Sequence, residues 1–294
     1  MFALKCLIFL SAALAASSFS LQPNDVVFHL FTRRNPTESQ VLVTVNNIQQ
    51  SNMDPRYPIV YTIHTNGNFD NFNAFLIPEF LEADNVNVIA VDWRAGSSTY
   101  TEGLAQAKQC GERIAEFLNM IINIFGLPTT ATKFVGVGLG AHIAGIAARN
   151  VNGRIPHIVA LDPALHGWTH HPEILKTSDA DLVEVLHTTA GFLGYDYPLG
   201  HVDFYANGGA LQPICGGNVE CSRTYSYVYY AESITAPIRN GPKFVGIACE
   251  SYEQAASLNC TGEDHAVFGG PEIKSQVSGI YTFFTNFVPP YARD

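Results

Sequence analysis

The chain has 294 residues, 47% of them hydrophobic and 14% charged, which is too apolar for a disordered polypeptide and ample for one large core. Its formal net charge of -10 argues against electrostatic binding to nucleic acid or anionic membranes, and no basic patch along the chain offsets it.

Met1 to Ser20 carry a single Lys5, an apolar run from Cys6 to Ala16 and then small residues, the pattern of a secretory signal peptide. About 12 apolar residues are too few for a transmembrane helix, which needs roughly 20, and no later segment is long and apolar enough to span. The expectation is a secreted, extracellular product formed by residues 21–294. Strands are predicted at VVFHLFT from Val26, VLVTV from Val41, PIVYTIH from Pro58, NVIAVDW from Asn87, KFVGVG from Lys133, HIVALD from His157 and LVEVLHT from Leu182. Residues 70–83, 101–126 and 139–151 read as helices with apolar faces at three- and four-residue spacing. GIYTFFTNFVPPY, from Gly279, reads as a final strand ending at Pro289-Pro290. The alternation implies a parallel sheet covered by helices on both faces, in one α/β domain without internal repeats.

Five cysteines remain beyond the leader, and secretion makes disulfides available to them. Cys215 and Cys221 enclose a five-residue loop, and Cys249 and Cys260 a ten-residue one; both are natural local bridges, although spacing does not prove connectivity. Cys110 is left over, either as a buried thiol in an amphipathic helix or as half of an intermolecular bridge. Asn259-Cys260-Thr261 is a formal glycosylation sequon whose central cysteine, if bridged, argues against its use.

The most informative stretch is KFVGVGLGAHIAG, where a strand enters Gly136-Val137-Gly138-Leu139-Gly140 and then a helix. That is the context of the nucleophile elbow, G-x-S-x-G, with Gly138 at the centre. Glycine there relieves the backbone strain of the turn and removes the oxygen that would attack an ester. A dinucleotide-binding turn fits poorly, because the glycines fall at even spacing and the strand lies well inside the chain.

VGVGLGAHIAG resembles the VGHSLGAHVAG elbow of the pancreatic-type neutral lipases, a family that includes vertebrate triglyceride lipases, insect phospholipases A1 and fly yolk proteins. FTRRNP at Phe31, VDWRAG at Val91, LDPA at Leu161, SDADLVEVLHT at Ser178, GHVDFYANGG at Gly200 and SYVYYAESI at Ser226 resemble segments of the same family in the same order. The resemblance implies the α/β-hydrolase fold, without the C-terminal β-sandwich of the vertebrate enzymes. It assigns the catalytic acid to Asp162, the vacant nucleophile position to Gly138, and the vacant base position to Arg223. Arg223 stands in Cys221-Ser222-Arg223, where the family reads CSH. A guanidinium stays charged and accepts no proton. The oxyanion-hole positions become Asn66, after His64-Thr65 in place of the family's His-Gly pair, and Leu139.

His64, His142, His187 and His201 fall in scaffold motifs of that family, and His166, His170 and His171 lie in the loop after Asp162. Ser222 is near the base position but lacks a base of its own. Deprived of a histidine, buried Asp162 is expected to pair with Arg223. The segment from Cys215 to Cys221 corresponds to the family's lid and is too short to cover a cleft. The family's calcium loop is matched only in part, by Glu173 and Asp179, in a stretch that looks shortened, so calcium binding stays open, no metal ligand is assigned and no cofactor is expected. These residues point to a secreted, inactive lipase-like protein that binds or carries a lipid or other apolar ligand, or serves in storage or interaction. The alternative is a carboxylic ester hydrolase of triglyceride lipase or phospholipase A1 type.

Overall fold

The computed structural model describes residues 21–293 apart from Glu272 and Ser275. The leader expected at 1–20 lies outside the described residues.

The central strands are β3 (Ile59–Ile63), β5 (Thr132–Val137), β6 (His157–Leu161), β7 (Leu182–His187) and β8 (Val202–Ala206). Their near-continuous burial is what a parallel sheet covered on both faces requires. With β1 (Val27–Thr32), β2 (Asn35–Leu42), β4 (Asn87–Asp92), β9 (Phe244–Cys249), β10 (His265–Phe268) and β11 (Gly279–Phe283), they form one eleven-stranded sheet. Its order is β10-β9-β11-β8-β7-β6-β5-β3-β4-β1-β2. Pairing is parallel from β4 through β3, β5, β6, β7 and β8 to β11, and antiparallel at both margins. The expected α/β-hydrolase architecture is therefore present.

A short helix, α1, spans Val45–Gln49. The longer helices are α2 (Phe69–Ala83), α3 (Tyr100–Phe125), α4 (Leu139–Asn150) and α5 (Val219–Arg239), followed by the short α6 (Tyr252–Ala256). Helices α3 and α4 cover one face of the sheet, packing Cys110, Ile114 and Ile143 with Phe134 and Ile158. Helices α2 and α5 cover the other, packing Phe72, Leu76, Tyr230 and Ile234 with Val135 and Phe204. Thr99 caps α3 by accepting the Glu102 N–H, and Gly126, at φ 66°, closes it.

Three sequence readings shift. The strand expected at VLVTV begins earlier, at Asn35, and stops at Leu42, because the Thr44 hydroxyl accepts the Asn47 N–H and starts α1. The final strand ends at Phe283, well short of the proline pair. The adjacent Arg33 and Arg34 and the more distant Arg56 gather around one surface cavity, with Asp54 bound to Arg56. Both expected disulfides are formed, Cys215–Cys221 and Cys249–Cys260, and Cys110 is a free, buried thiol. Burial raises the Cys110 pKa, which keeps it protonated.

Candidate functional site

Between β5 and α4 the backbone turns at Gly138, with φ 57° and ψ -115°. The flanking glycines are dictated by close approach. A Cβ at Gly136 would lie 2.2 Å from the Gly140 carbonyl oxygen, and a Cβ at Gly140 would lie 2.0 Å from that of Ile63. The space at the centre is taken: a Cβ on Gly138 would lie 2.6 Å from Thr65 Oγ1 and 2.9 Å from Thr65 Cβ. The Leu139 N–H donates to the same Thr65 Oγ1 at 3.4 Å, and that hydroxyl donates to Asn66 Oδ1 at 3.2 Å. A threonine side chain thus fills the elbow and engages its first helical amide.

Asp162 follows β6, fully buried, at φ 47°. Its Oδ1 accepts the N–H groups of Thr188 at 3.0 Å and Thr189 at 2.8 Å, and its Oδ2 accepts the Thr189 hydroxyl. Arg223 Nε donates to Oδ2 at 2.9 Å, so the expected ion pair is present. Arg223 lies in the first turns of α5, whose start is pinned by Asn218, which accepts the Cys221 N–H, and by the Cys215–Cys221 bridge. Its Nη2 is buried without a hydrogen-bond partner among the described residues.

None of the remaining histidines reaches this pair by a hydrogen bond among the described residues. His64 has Nδ1 on the Thr65 carbonyl and accepts the Trp93 N–H on Nε2 at 3.2 Å. His142 has Nε2 on the Ala164 carbonyl, accepts the Leu175 N–H on Nδ1 and stacks on Trp168. One donor and one acceptor fix each as a neutral tautomer, and burial lowers their pKa values to about 4 and about 3. His187 faces the Tyr195 carbonyl and Asp203, and His201 accepts the Val183 N–H. His171 accepts the Glu173 N–H, while His166 lies on the cleft wall; His170 is exposed, in a turn at φ 64°. The Ser222 hydroxyl donates to the Asn218 carbonyl and accepts the Gln212 N–H, which spends it on the backbone.

Above the pair opens a cleft of about 680 Å³, lined among others by Thr65, Asn66, Tyr100, Leu193, Arg223 and Tyr227. Burial pushes the Tyr100 hydroxyl up to about 12, so it stays a donor, here to the His166 carbonyl. Away from the cleft, Glu173 and Asp179 are both held by Arg149. Its Nη1 contacts both Asp179 oxygens at 2.7 Å and its Nη2 reaches Glu173 Oε2 at 3.1 Å. The guanidinium supplies positive charge beside both carboxylates.

Sequence reasoning missed the side chain of Thr65 and the donors Thr188 and Thr189. The signal for the first was present, a branched residue standing where the resembling turn carries glycine.

A sequence model of the lipase family matches residues 9–278. The pancreatic triacylglycerol lipase of Cavia porcellus is 32% identical over 81% of this chain and 58% of its own length. Inactive pancreatic lipase-related protein 1 of Homo sapiens is 31% identical over 79% and 56%, and lipase member H-A of Xenopus laevis 32% over 79% and 52%. The chain spans a little over half the length of these relatives. Elbow, sheet order, matched extent and level of identity agree: the chain belongs to the pancreatic-type lipase family.

Proposed function

We propose that this chain is a secreted member of the lipase family that does not hydrolyse esters and instead binds a lipid or other apolar ligand in the cleft over Arg223. The observation that carries the reading is the filled elbow. Ester cleavage needs an attacking oxygen, an adjacent proton acceptor and amides free to hold the oxyanion. At the elbow stand Gly138, Arg223 on Asp162, and Thr65 accepting the Leu139 amide. Removing triad members leaves only a small residual rate from binding and the oxyanion hole, and here the hole is engaged as well. The disulfides and the leader pattern support secretion. Among the described residues no helix is long and apolar enough to cross a membrane.

The test has two arms on the purified secreted protein. Solvent extraction and mass spectrometry are expected to recover a co-purifying amphiphilic or apolar molecule at near-stoichiometric amount. A short-chain chromogenic ester is expected to show no turnover above buffer. Hydrolysis that is abolished by Asp162→Ala would overturn the reading in favour of an ester hydrolase.

A further inference from the structure

The cleft is floored by a cation whose hydrogen-bonding capacity the protein leaves largely open. A guanidinium carries five N–H donors. In Arg223 only Nε–H is bonded among the described residues, to Asp162. Nη2 is buried without a partner, and Nη1 lies 3.6 Å from where a Cβ on Gly138 would sit. The residue is only 6% exposed, yet it lines the cleft. Asp162 has three donors besides this arginine, so its demand does not use up the guanidinium. Donors buried without acceptors are unfavourable, and an oxyanion is the acceptor that best suits a guanidinium.

The rest of the wall narrows the class. Asn66 and Asn71 add side-chain amides, Tyr100, Tyr227 and Leu193 add carbon surface, and the one carboxylate among the lining residues, Glu220, is on an exposed position. Asp162 formally cancels the arginine charge, so a singly charged planar head leaves one net negative charge among these groups, eased by the three other donors on Asp162, whereas a dianion would leave two.

We propose that the cleft takes a free carboxylic acid with an apolar tail, its carboxylate on the Nη1 group of Arg223, in preference to the neutral ester of the same acid. The proposal rests on the ligand-binding reading above and names the head group that reading leaves open. Where a histidine would serve ester cleavage, arginine makes the same floor a donor site for an ionised acid.

Calorimetric titration of the full chain at neutral pH, with decanoate below its micelle concentration, methyl decanoate and acetate, tests this. Decanoate is expected to bind about tenfold or more tightly than methyl decanoate, the range of one hydrogen bond to a charged group, and acetate far more weakly than either. Arg223→Gln is expected to bring the acid-to-ester ratio near one. Equal binding of acid and ester by the wild type, or a preference retained in Arg223→Gln, overturns the carboxylate assignment while leaving the ligand-binding reading standing. Acetate or inorganic phosphate binding as well as decanoate overturns the amphiphile. If neither decanoate nor its ester binds, the ligand-binding reading itself fails. Should Arg223→Gln not fold, the wild-type ratio decides alone.

Discussion

Two arginines of this molecule face buried carboxylates, and they are used in opposite ways. Arg149 spends both of its Nη groups on the loop after β6: both Asp179 oxygens, the Glu173 carboxylate and the carbonyls of Glu173 and Ile174 receive their N–H groups. Arg223 gives Asp162 one N–H, keeps Nη2 buried and unbonded among the described residues, and lines a cleft. The difference lies in the carboxylates. Asp179 depends on its arginine, the Lys176 N–H being the only other donor it has among the described residues, and burial raises its pKa despite the guanidinium. Asp162 sits in a nest of two backbone N–H groups and a hydroxyl. An arginine that its partner needs is a strut, whereas one that its partner can spare is available to a ligand.

The comparison breaks most readily at the strut. Arg149→Leu removes one side of a buried pair and strands Asp179, for which a loss of about 3 kcal/mol or more is expected. Chemical denaturation with the slope held constant measures it. At the elbow, Arg223→Gln leaves Asp162 with its other donors and keeps an amide in reach, so the expected loss is smaller, about 1 to 2 kcal/mol. If Arg223→Gln proves the more damaging of the two, Arg223 is a structural residue and its open N–H groups carry no meaning for binding.

How far the sequence anticipates these sites follows from the range of the interactions. Most of the central strands are apolar on both faces, so runs such as NVIAVDW and HIVALD announce them, and Gly136 of the elbow is forced by a contact four residues away. Strands β8, β9 and β10 were not anticipated: β8 is buried throughout but carries Asp203 in its run, and β9, despite its apolar FVGIAC, and β10 have mixed burial toward the margin of the sheet. Helix α5 escaped for the opposite reason: tyrosines and small polar residues are buried around much of its circumference, so it shows little amphipathic pattern. The Asp162–Arg223 pair was legible because a buried charge must be answered. The grip of Thr188 and Thr189 on Asp162 was not, since backbone donors carry no sequence signal. Thr65 meets Leu139 across 74 positions, a contact that only the fold creates.

The smallest signal expected is also the most discriminating for the elbow. Restoring a nucleophile and a base with Gly138→Ser and Arg223→His does not by itself rebuild a hydrolase, because the new Cβ would meet Thr65 at 2.6 Å and 2.9 Å and the Leu139 amide would remain on the threonine hydroxyl. The double variant is expected to resist labelling by a fluorophosphonate. Adding Thr65→Gly clears the space and frees the amide, and slow, stoichiometric labelling confined to the serine at 138 is expected, read by intact-protein mass spectrometry. Labelling of the double variant at the rate of the triple would show that Thr65 yields without cost, and that the distinction between a filled and an open elbow does not hold. A folded triple variant that stays unlabelled would place the obstacle in Asp162, whose nest of donors would then hold it too firmly to orient a histidine.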